Sequence, residues 1–244
     1  MGDFMKKGLF LSFNFNRFLS ITLAIILVFS VMLSVNMSDV TTSGSVIDYS
    51  KTVIVDAGHG GEDGGTQSSA GVLEKDINLD ISMKTGNILS LMGYTVVYTR
   101  TDDTLYYDSS AVNQRQKKVS DIHRRMNIIE SCPEAVFLSI HQNYFSESKY
   151  YGAQVFYSKN NDKSKMLAES LQTNIRELVQ PENKRQIKPS GTDIYLLYHA
   201  KSPAVMVECG FLSNAGEALL LSDIEYQKTI SLAIAAGLEE YMST

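Results

Sequence analysis

The sequence is short of several things: it has no tryptophan, only two cysteines and only four prolines among 244 residues. Two cysteines, Cys132 and Cys209, are too few for a disulfide framework. Each lies beside a predicted buried strand, which favours two small buried side chains over a bridge. The chain also lacks an excess of positive charge: its formal net charge is -5, and it has no basic stripe. Such a protein repels phosphates, so we expect no nucleic-acid partner.

Long hydrophobic runs are also scarce, and the one present lies near the amino terminus. Residues 18–35 carry no charge and follow a short cationic stretch. The cations are Lys6, Lys7 and Arg17. We therefore predict that residues 1–36 are a signal peptide or a membrane anchor. Both alternatives stay open, because the segment has no clean Ala-x-Ala cleavage site. Flanking cations stay on the cytoplasmic side, so the rest of the chain is expected outside the membrane, anchored or secreted. Residues 37–50, rich in Ser and Thr, are expected to be a tether.

Predicted strands and helices alternate from residue 51 to the end of the chain. The predicted strands cover residues 52–57, 94–100, 134–140, 152–158, 193–198 and 204–207. The predicted helices begin near residues 74, 121, 162, 214 and 223. Residues 58–72, 101–120 and 180–191 are expected to be loops. This alternation predicts an α/β fold, with residues 51–244 forming a single domain around a mostly parallel twisted sheet flanked by helices on both faces.

Ionisable side chains follow three of the predicted strands. His59, His141 and Glu208 come directly after or close to the strand ends. Because the carboxyl ends of parallel strands meet at one edge of a sheet, we expect these three side chains to lie together. The glycine-rich loop before Glu74 can return that carboxylate to the same edge. Two histidines and one carboxylate form a catalytic type of zinc site with one open position, and a fourth group can act as a general base.

Each of these residues also has a plain structural interpretation. Glu74 can be a helix amino-terminal acid stabilised by the helix dipole, and a histidine at a strand end is often structural. Glu208 is different, because it continues an apolar strand and its charge is costly there unless it is paired. His123 and His199 are expected at the surface or outside the ligand set. Asp56 is placed to orient a histidine by a hydrogen bond.

Four short motifs together resemble a known family, the zinc-dependent N-acetylmuramoyl-L-alanine amidases (amidase type 3). The motifs are Val55-Asp56-Ala57-Gly58-His59-Gly60-Gly61, Leu73-Glu74-Lys75-Asp76, Leu138-Ser139-Ile140-His141-x-Asn143 and Val207-Glu208-x-Gly210-Phe211-Leu212-Ser213-Asn214. The resemblance covers roughly residues 51–242. It implies a Zn²⁺ cofactor held by His59, Glu74 and His141.

The same resemblance implies the reaction and its remaining residues. Glu208 is the implied catalytic acid and base, and Arg125 and Asn143 are implied substrate-binding residues. The implied substrate is the amide between N-acetylmuramic acid and L-alanine in peptidoglycan. Within the family the chain is most similar to the CwlD-type amidases, which act on spore cortex during muramic-δ-lactam formation. That similarity places the protein between the forespore membranes and adds an activator protein to its expected partners, beside peptidoglycan and the membrane reached by the N-terminal segment.

Two other functions fit part of the pattern. One is a different zinc peptidase that trims wall stem peptides. The other is a wall-binding protein with a metal-stabilised fold and no activity. The presence of all four polar positions argues against the second alternative, because an inert protein has no need for Glu208.

Overall fold

The computed structural model describes residues 51–244. The predicted leader, residues 1–36, and the predicted tether, residues 37–50, lie outside the described residues. Within residues 51–244 no helix has the length and apolar character needed to cross a bilayer.

Six strands form one sheet. In chain order they are β1 (Thr52–Ala57), β2 (Thr95–Tyr98), β3 (Val136–Asn143), β4 (Gln154–Tyr157), β5 (Lys188–Pro189) and β6 (Ala204–Phe211). Across the sheet the order is β2-β1-β3-β6-β4-β5. The pairs within β2-β1-β3-β6 are parallel, whereas β4 runs antiparallel to β6. The β1, β3 and β6 strands are almost wholly buried, which explains their near-continuous apolar sequence.

Helices cover both faces of this sheet, as predicted. They are α1 (Glu74–Leu91), α2 (Gln114–Ser131), α3 (Lys163–Leu178), α4 (Tyr195–His199), α5 (Ala215–Ser222) and α6 (Ile224–Met242). Buried side chains of α1, α3, α5 and α6 form the larger hydrophobic core on one face. Residues of α2 and α4 pack against Ile54 and Phe137 in a smaller core on the other face. The predicted α/β class is therefore confirmed.

Three predicted elements are wrong. In the loop predicted over residues 180–191, Lys188–Pro189 form the short strand β5, which pairs with β4. The loop predicted over residues 101–120 gives way at residue 114 to α2, whose first turns carry polar residues without an apolar stripe. The signal that could have revealed this start is Asn113, whose side chain accepts a hydrogen bond from the Gln116 backbone while its own backbone N–H donates to the Gln116 side chain, a capping box. Residues 193–198, predicted as a strand, instead include most of helix α4. A short apolar run fits either structure, and here β4 already occupies the sheet position beside β6.

The central strands are also longer than predicted. β3 continues through His141 to Asn143, and β6 continues through Glu208 to Phe211. His141 and Glu208 are direct register partners on these two strands. The two residues are therefore neighbours in the sheet itself rather than in loops beyond it, which fixes their backbones relative to each other.

Candidate active site

His59 stands just beyond the end of β1 in an unusual backbone conformation. Its φ is +62°, a left-handed value that non-glycine residues seldom adopt. The Arg125 guanidinium donates a hydrogen bond of 2.7 Å to the His59 carbonyl oxygen and so holds this conformation. Such strain is concentrated at functional sites, where surrounding contacts maintain it.

Glu74 is the first residue of α1 and is almost fully buried, with 4% of its surface exposed. Its Oε2 atom accepts a hydrogen bond from the Thr66 backbone at 2.8 Å. Its Oε1 atom accepts bonds from the Gln142 backbone at 3.2 Å and from Asn78 Nδ2 at 3.3 Å. These contacts fix the carboxylate and aim it at the edge of the sheet, so Glu74 does more than complement a helix dipole.

The side chains of His59, Glu74 and His141 converge on one point. Glu74 Oε2 lies 3.3 Å from His59 Nε2, and Glu74 Oε1 lies 2.9 Å from His141 Nδ1. The donor atoms of all three residues lie within 4.8 Å of one another, close enough to bind one ion. Two imidazole nitrogens and one carboxylate oxygen are the donor set of many catalytic zinc sites. The predicted grouping of these three residues is therefore seen in the structure, and the donors fit zinc.

Two glycines allow the backbone to approach this donor set closely. A Cβ atom on Gly58 would lie 2.2 Å from His141 Nε2. A Cβ atom on Gly65 would lie 2.5 Å from Glu74 Oε2, and the φ of Gly65 is +68°. Any side chain at either position would displace a ligand. The glycine-rich loop is thus required by the space around the donors as well as by the turn.

Glu208 lies beside the donor set but is not part of it. Its Oε2 atom is shielded from solvent and has no hydrogen-bond partner among the described residues. Burial and the nearby Glu74 charge raise the pKa of Glu208 to about 7, although His141 and His59 act in the opposite direction. A carboxyl group with a pKa near neutrality is suited to taking up and releasing a proton.

The ligand carboxylate has the opposite electrostatic environment. Burial alone would raise the pKa of Glu74, but hydrogen bonds and charges from His141 and His59 hold that pKa well below its usual range. Burial would likewise lower the pKa of His59, but hydrogen bonds to Asp63 and Glu74 raise it to about 9. Glu74 is therefore ionised, as a ligand must be, and Glu208 is the carboxyl that can exchange a proton.

Asp56 does not orient a histidine, contrary to the sequence-based expectation. Its carboxylate accepts hydrogen bonds from Arg125 at 2.7 Å, Thr99 at 2.7 Å and Ser139 at 2.6 Å. Arg125 is 4% exposed and also binds Asp121 at 2.7 Å. These contacts support a positioning role for Arg125, which holds the end of β1 and the His59 backbone in place. Arg125 also lines the cavity beside His59 and His141, and its predicted contact with substrate stays a prediction.

Three residues considered in the sequence remain to be placed: Asn143, His123 and His199. Asn143 ends β3 opposite Phe211, and its backbone carbonyl accepts a hydrogen bond from Leu212. Its role in substrate binding stays a prediction. His123 and His199 both contact the Tyr195 ring and take no part in the donor set.

Sequence reasoning missed Asp63. Its Oδ2 atom lies 2.9 Å from His59 Nδ1, the ring nitrogen opposite the one that faces Glu74. The available signal was its position four residues after His59 inside a glycine-rich turn.

A cavity of about 310 Å³ opens next to His59 and His141. One wall is apolar and is formed by Ile122, Ile194, Leu196 and Met206. Lys118, Asp63 and Asp193 supply charged groups to the same cavity. A substrate bound there would lie directly against the donor set.

A His-Glu-His donor set with a separate carboxyl group beside it, at the carboxyl edge of a mostly parallel α/β sheet, is an arrangement that suits metal-dependent hydrolysis. Comparison with known proteins makes this specific. Residues 53–240 match the N-acetylmuramoyl-L-alanine amidase family, and the chain belongs to that family. The enzyme class predicted from the sequence is thereby confirmed.

Individual relatives agree with this assignment. The germination-specific N-acetylmuramoyl-L-alanine amidase of Bacillus subtilis (strain 168) is 30% identical over 193 residues, which cover 79% of this chain and 80% of the relative. The structure of the CwlD amidase from Clostridioides difficile in complex with the GerS lipoprotein is similar with a TM-score of 0.76 and 43% identity, covering 79% of this chain and 98% of that one. The catalytic domain of the CwlV amidase from Bacillus (Paenibacillus) polymyxa var. colistinus gives a TM-score of 0.66 at 30% identity, again covering 79% and 98% of the two chains.

Proposed function

We propose that this amidase is zinc-dependent and cleaves the amide between N-acetylmuramic acid and L-alanine in peptidoglycan, with His59, Glu74 and His141 as the metal ligands. The observation that supports this most directly is the convergence of these three donors beside Glu208, whose buried Oε2 atom has no hydrogen-bond partner among the described residues. A bound zinc ion at such a site acts as a Lewis acid and lowers the pKa of a bound water.

The residues of the chain then divide the chemistry. Glu208, with its pKa near 7, takes a proton from the attacking water and later donates a proton to the departing alanine nitrogen. The cavity beside His59 and His141 holds the part of the substrate that adjoins the scissile amide. Asn143 lies at the same edge of the sheet and is proposed to contact the substrate.

The biological setting is proposed from the relatives and from the leader. Similarity to a germination-specific amidase and to CwlD supports a role in spore cortex, where amide cleavage is the first step toward muramic-δ-lactam. The CwlD relative forms a complex with the GerS lipoprotein, so a lipoprotein activator is the proposed type of partner. The hydrophobic segment within residues 1–36 supports export and placement between the forespore membranes, either anchored or after cleavage.

The test compares wild type with the Glu208→Gln variant. Purified peptidoglycan is digested with the zinc-loaded full-length chain, with and without the candidate lipoprotein, and the products are separated by mass. We expect wild type to release stem peptides that begin with L-alanine and to leave the glycan intact. Glu208→Gln should bind zinc as wild type does and lose activity by at least about a hundredfold, the usual contribution of a general acid or base.

Other results would contradict the proposal. Stem peptides shortened from their carboxyl ends would indicate a peptidase. Binding without any release in both conditions would indicate an inert wall-binding protein. Loss of zinc from Glu208→Gln would show that Glu208 is a ligand and that the assigned roles are wrong.

A further inference from the structure

We propose that Asp63 is a positioning residue for the metal ligand His59, which it holds in the tautomer and ring orientation that leave Nε2 free to bind the ion. This inference rests on the proposed function, because it presupposes that His59 binds a metal. The carboxylate of Asp63 touches His59 on the ring nitrogen that faces away from the donor set, so Asp63 acts through His59 and not on the metal itself.

The two nitrogens of the His59 ring have different partners. Nδ1 lies 2.9 Å from Asp63 Oδ2, and Nε2 lies 3.3 Å from Glu74 Oε2. A neutral imidazole carries one N–H and one lone pair, and a carboxylate can only accept a hydrogen bond. When the ring is neutral, as it must be to bind a metal, the Asp63 contact therefore keeps the proton on Nδ1 and leaves the lone pair on Nε2. A carboxylate in this position also raises the basicity of the ligating nitrogen.

Asp63 is itself held by several contacts. Its Oδ1 atom accepts a hydrogen bond from the Gly65 backbone at 3.3 Å. The same atom forms an ion pair with Lys118 Nζ at 2.7 Å. Its backbone exchanges two hydrogen bonds of 2.9 Å with Gly60. The side chain is 12% exposed, so water competes little for the carboxylate. Asp63 is thus a fixed support rather than a mobile surface acid.

Of the three ligands, His59 has the greatest need of such support. His141 lies within β3 and Glu74 begins α1, so regular structure fixes both backbones. His59 lies outside every helix and strand, on a turn with a left-handed φ. Without a partner on Nδ1, its ring has one fewer contact that resists rotation or the wrong tautomer.

The neighbouring ion pair offers a matched control. Glu62 binds Lys117 with contacts of 2.7 Å and 2.9 Å, so it joins the same turn to the same helix one residue earlier. Among the described residues, the hydrogen bonds and ion pair of the Glu62 side chain go to Lys117 and not to a histidine. If the Asp63 contacts serve only to tether the turn to α2, then removing Glu62 should have a comparable effect on the metal.

The experiment measures zinc affinity directly, by competition with a chromogenic chelator, for metal-free full-length wild type and for Asp63→Ala, Asp63→Asn and Glu62→Ala. Thermal unfolding of each metal-free variant checks that the fold is retained. We expect Asp63→Ala to weaken zinc binding by about 10- to 100-fold, the usual effect of losing such a partner. Asp63→Asn keeps the shape but not the charge and should give a smaller loss. Glu62→Ala should stay within about threefold of wild type. Cobalt(II)-substituted Asp63→Ala should show an altered visible absorption spectrum, because the His59 ring is no longer fixed.

The possible results separate the inference about Asp63 from the proposed function. Zinc affinity of Asp63→Ala within threefold of wild type, or an equal loss in Glu62→Ala, overturns the inference while leaving the proposed function intact. A wild-type chain that binds no zinc overturns both. If Asp63→Ala does not fold, the affinity and cobalt spectrum of Asp63→Asn replace it in the same comparison, and unchanged values there overturn the inference.

Discussion

Glu74 and Glu208 are the same type of residue in opposite surroundings. Glu74 is surrounded by histidines and hydrogen-bond donors, which keep its pKa low. Glu208 has one oxygen without a donor in the described structure, and its pKa is raised to about 7. When the surroundings lower the pKa of one carboxyl group and raise the pKa of its neighbour, the group with the raised pKa is the one suited to proton transfer. At the scale of single residues, this contrast assigns the ligand and the acid-base roles.

The raised pKa of Glu208 predicts the acid side of the pH profile. A general base must be ionised, so kcat/KM should fall as the pH falls below the pKa of Glu208, by about tenfold per pH unit. A bound cation favours the ionised form and lowers that pKa, so the acid limb should have its midpoint at or below about pH 7. The measurement is kcat/KM against pH on a soluble muropeptide at saturating zinc. An acid limb with a midpoint well above pH 7 would contradict this assignment.

At the scale of elements, a buried arginine of α2 contacts the active site, in addition to the ion pairs of Lys117 and Lys118 with the turn after β1. Arg125 binds Asp56 of β1, Asp121 of α2 and the carbonyl oxygens of Ala57 and His59. It thus joins a helix on one face of the sheet to the turn that carries a ligand. Burial lowers the pKa of Arg125, but the charges of Asp56 and Asp121 outweigh this and raise the pKa above its ordinary value.

Removing the arginine should therefore be costly. Arg125→Met leaves the carboxylates of Asp56 and Asp121 buried without their cation, and breaking a buried pair in this way costs about 3–5 kcal/mol of unfolding free energy. Urea unfolding of the metal-free protein measures the change. Lys228→Met, which breaks an exposed pair with Glu225, serves as the control and should cost less than about 1 kcal/mol. Equal losses of unfolding free energy in the two variants would contradict the stabilising role assigned to Arg125.

At the scale of the whole molecule, the metal site joins parts of the chain that are far apart in sequence. His59 follows β1, Glu74 begins α1 and His141 lies near the end of β3. An ion bound to all three would connect the turn after β1, the strand β3 and the helix α1, and it would bind only when these are folded together. Ligands that bind only the folded state stabilise it by mass action.

Zinc removal should therefore lower the thermal stability of the protein. With free zinc at a hundred times its Kd, the added stability is about 2.7 kcal/mol, which corresponds to about 5–10 °C in Tm for a domain of this size. Thermal unfolding with zinc and with a chelator measures the difference. The His59→Ala variant should show little zinc-dependent shift, and a shift as large as that of wild type would contradict the ligand assignment.

The sequence by itself determined the alternation of strands and helices, the α/β class and the residue types of the site. These follow from local chemistry: apolar periodicity, glycine turns and ionisable groups next to buried strands. The resemblance to the amidase family then separated the ligand Glu74 from the acid-base residue Glu208, which the residues alone had left open.

Only the tertiary structure decided which polar groups meet. It showed that Asp63, not Asp56, contacts the His59 ring, and that Arg125 is enclosed by carboxylates and carbonyls. It also showed that most of the predicted strand at residues 193–198 is helix α4 and that β4 occupies the place beside β6. The physical reason is common to these cases. Hydrogen-bond partners and strand positions depend on which segments, distant in sequence, pack against one another. Local sequence patterns do not indicate that long-range packing.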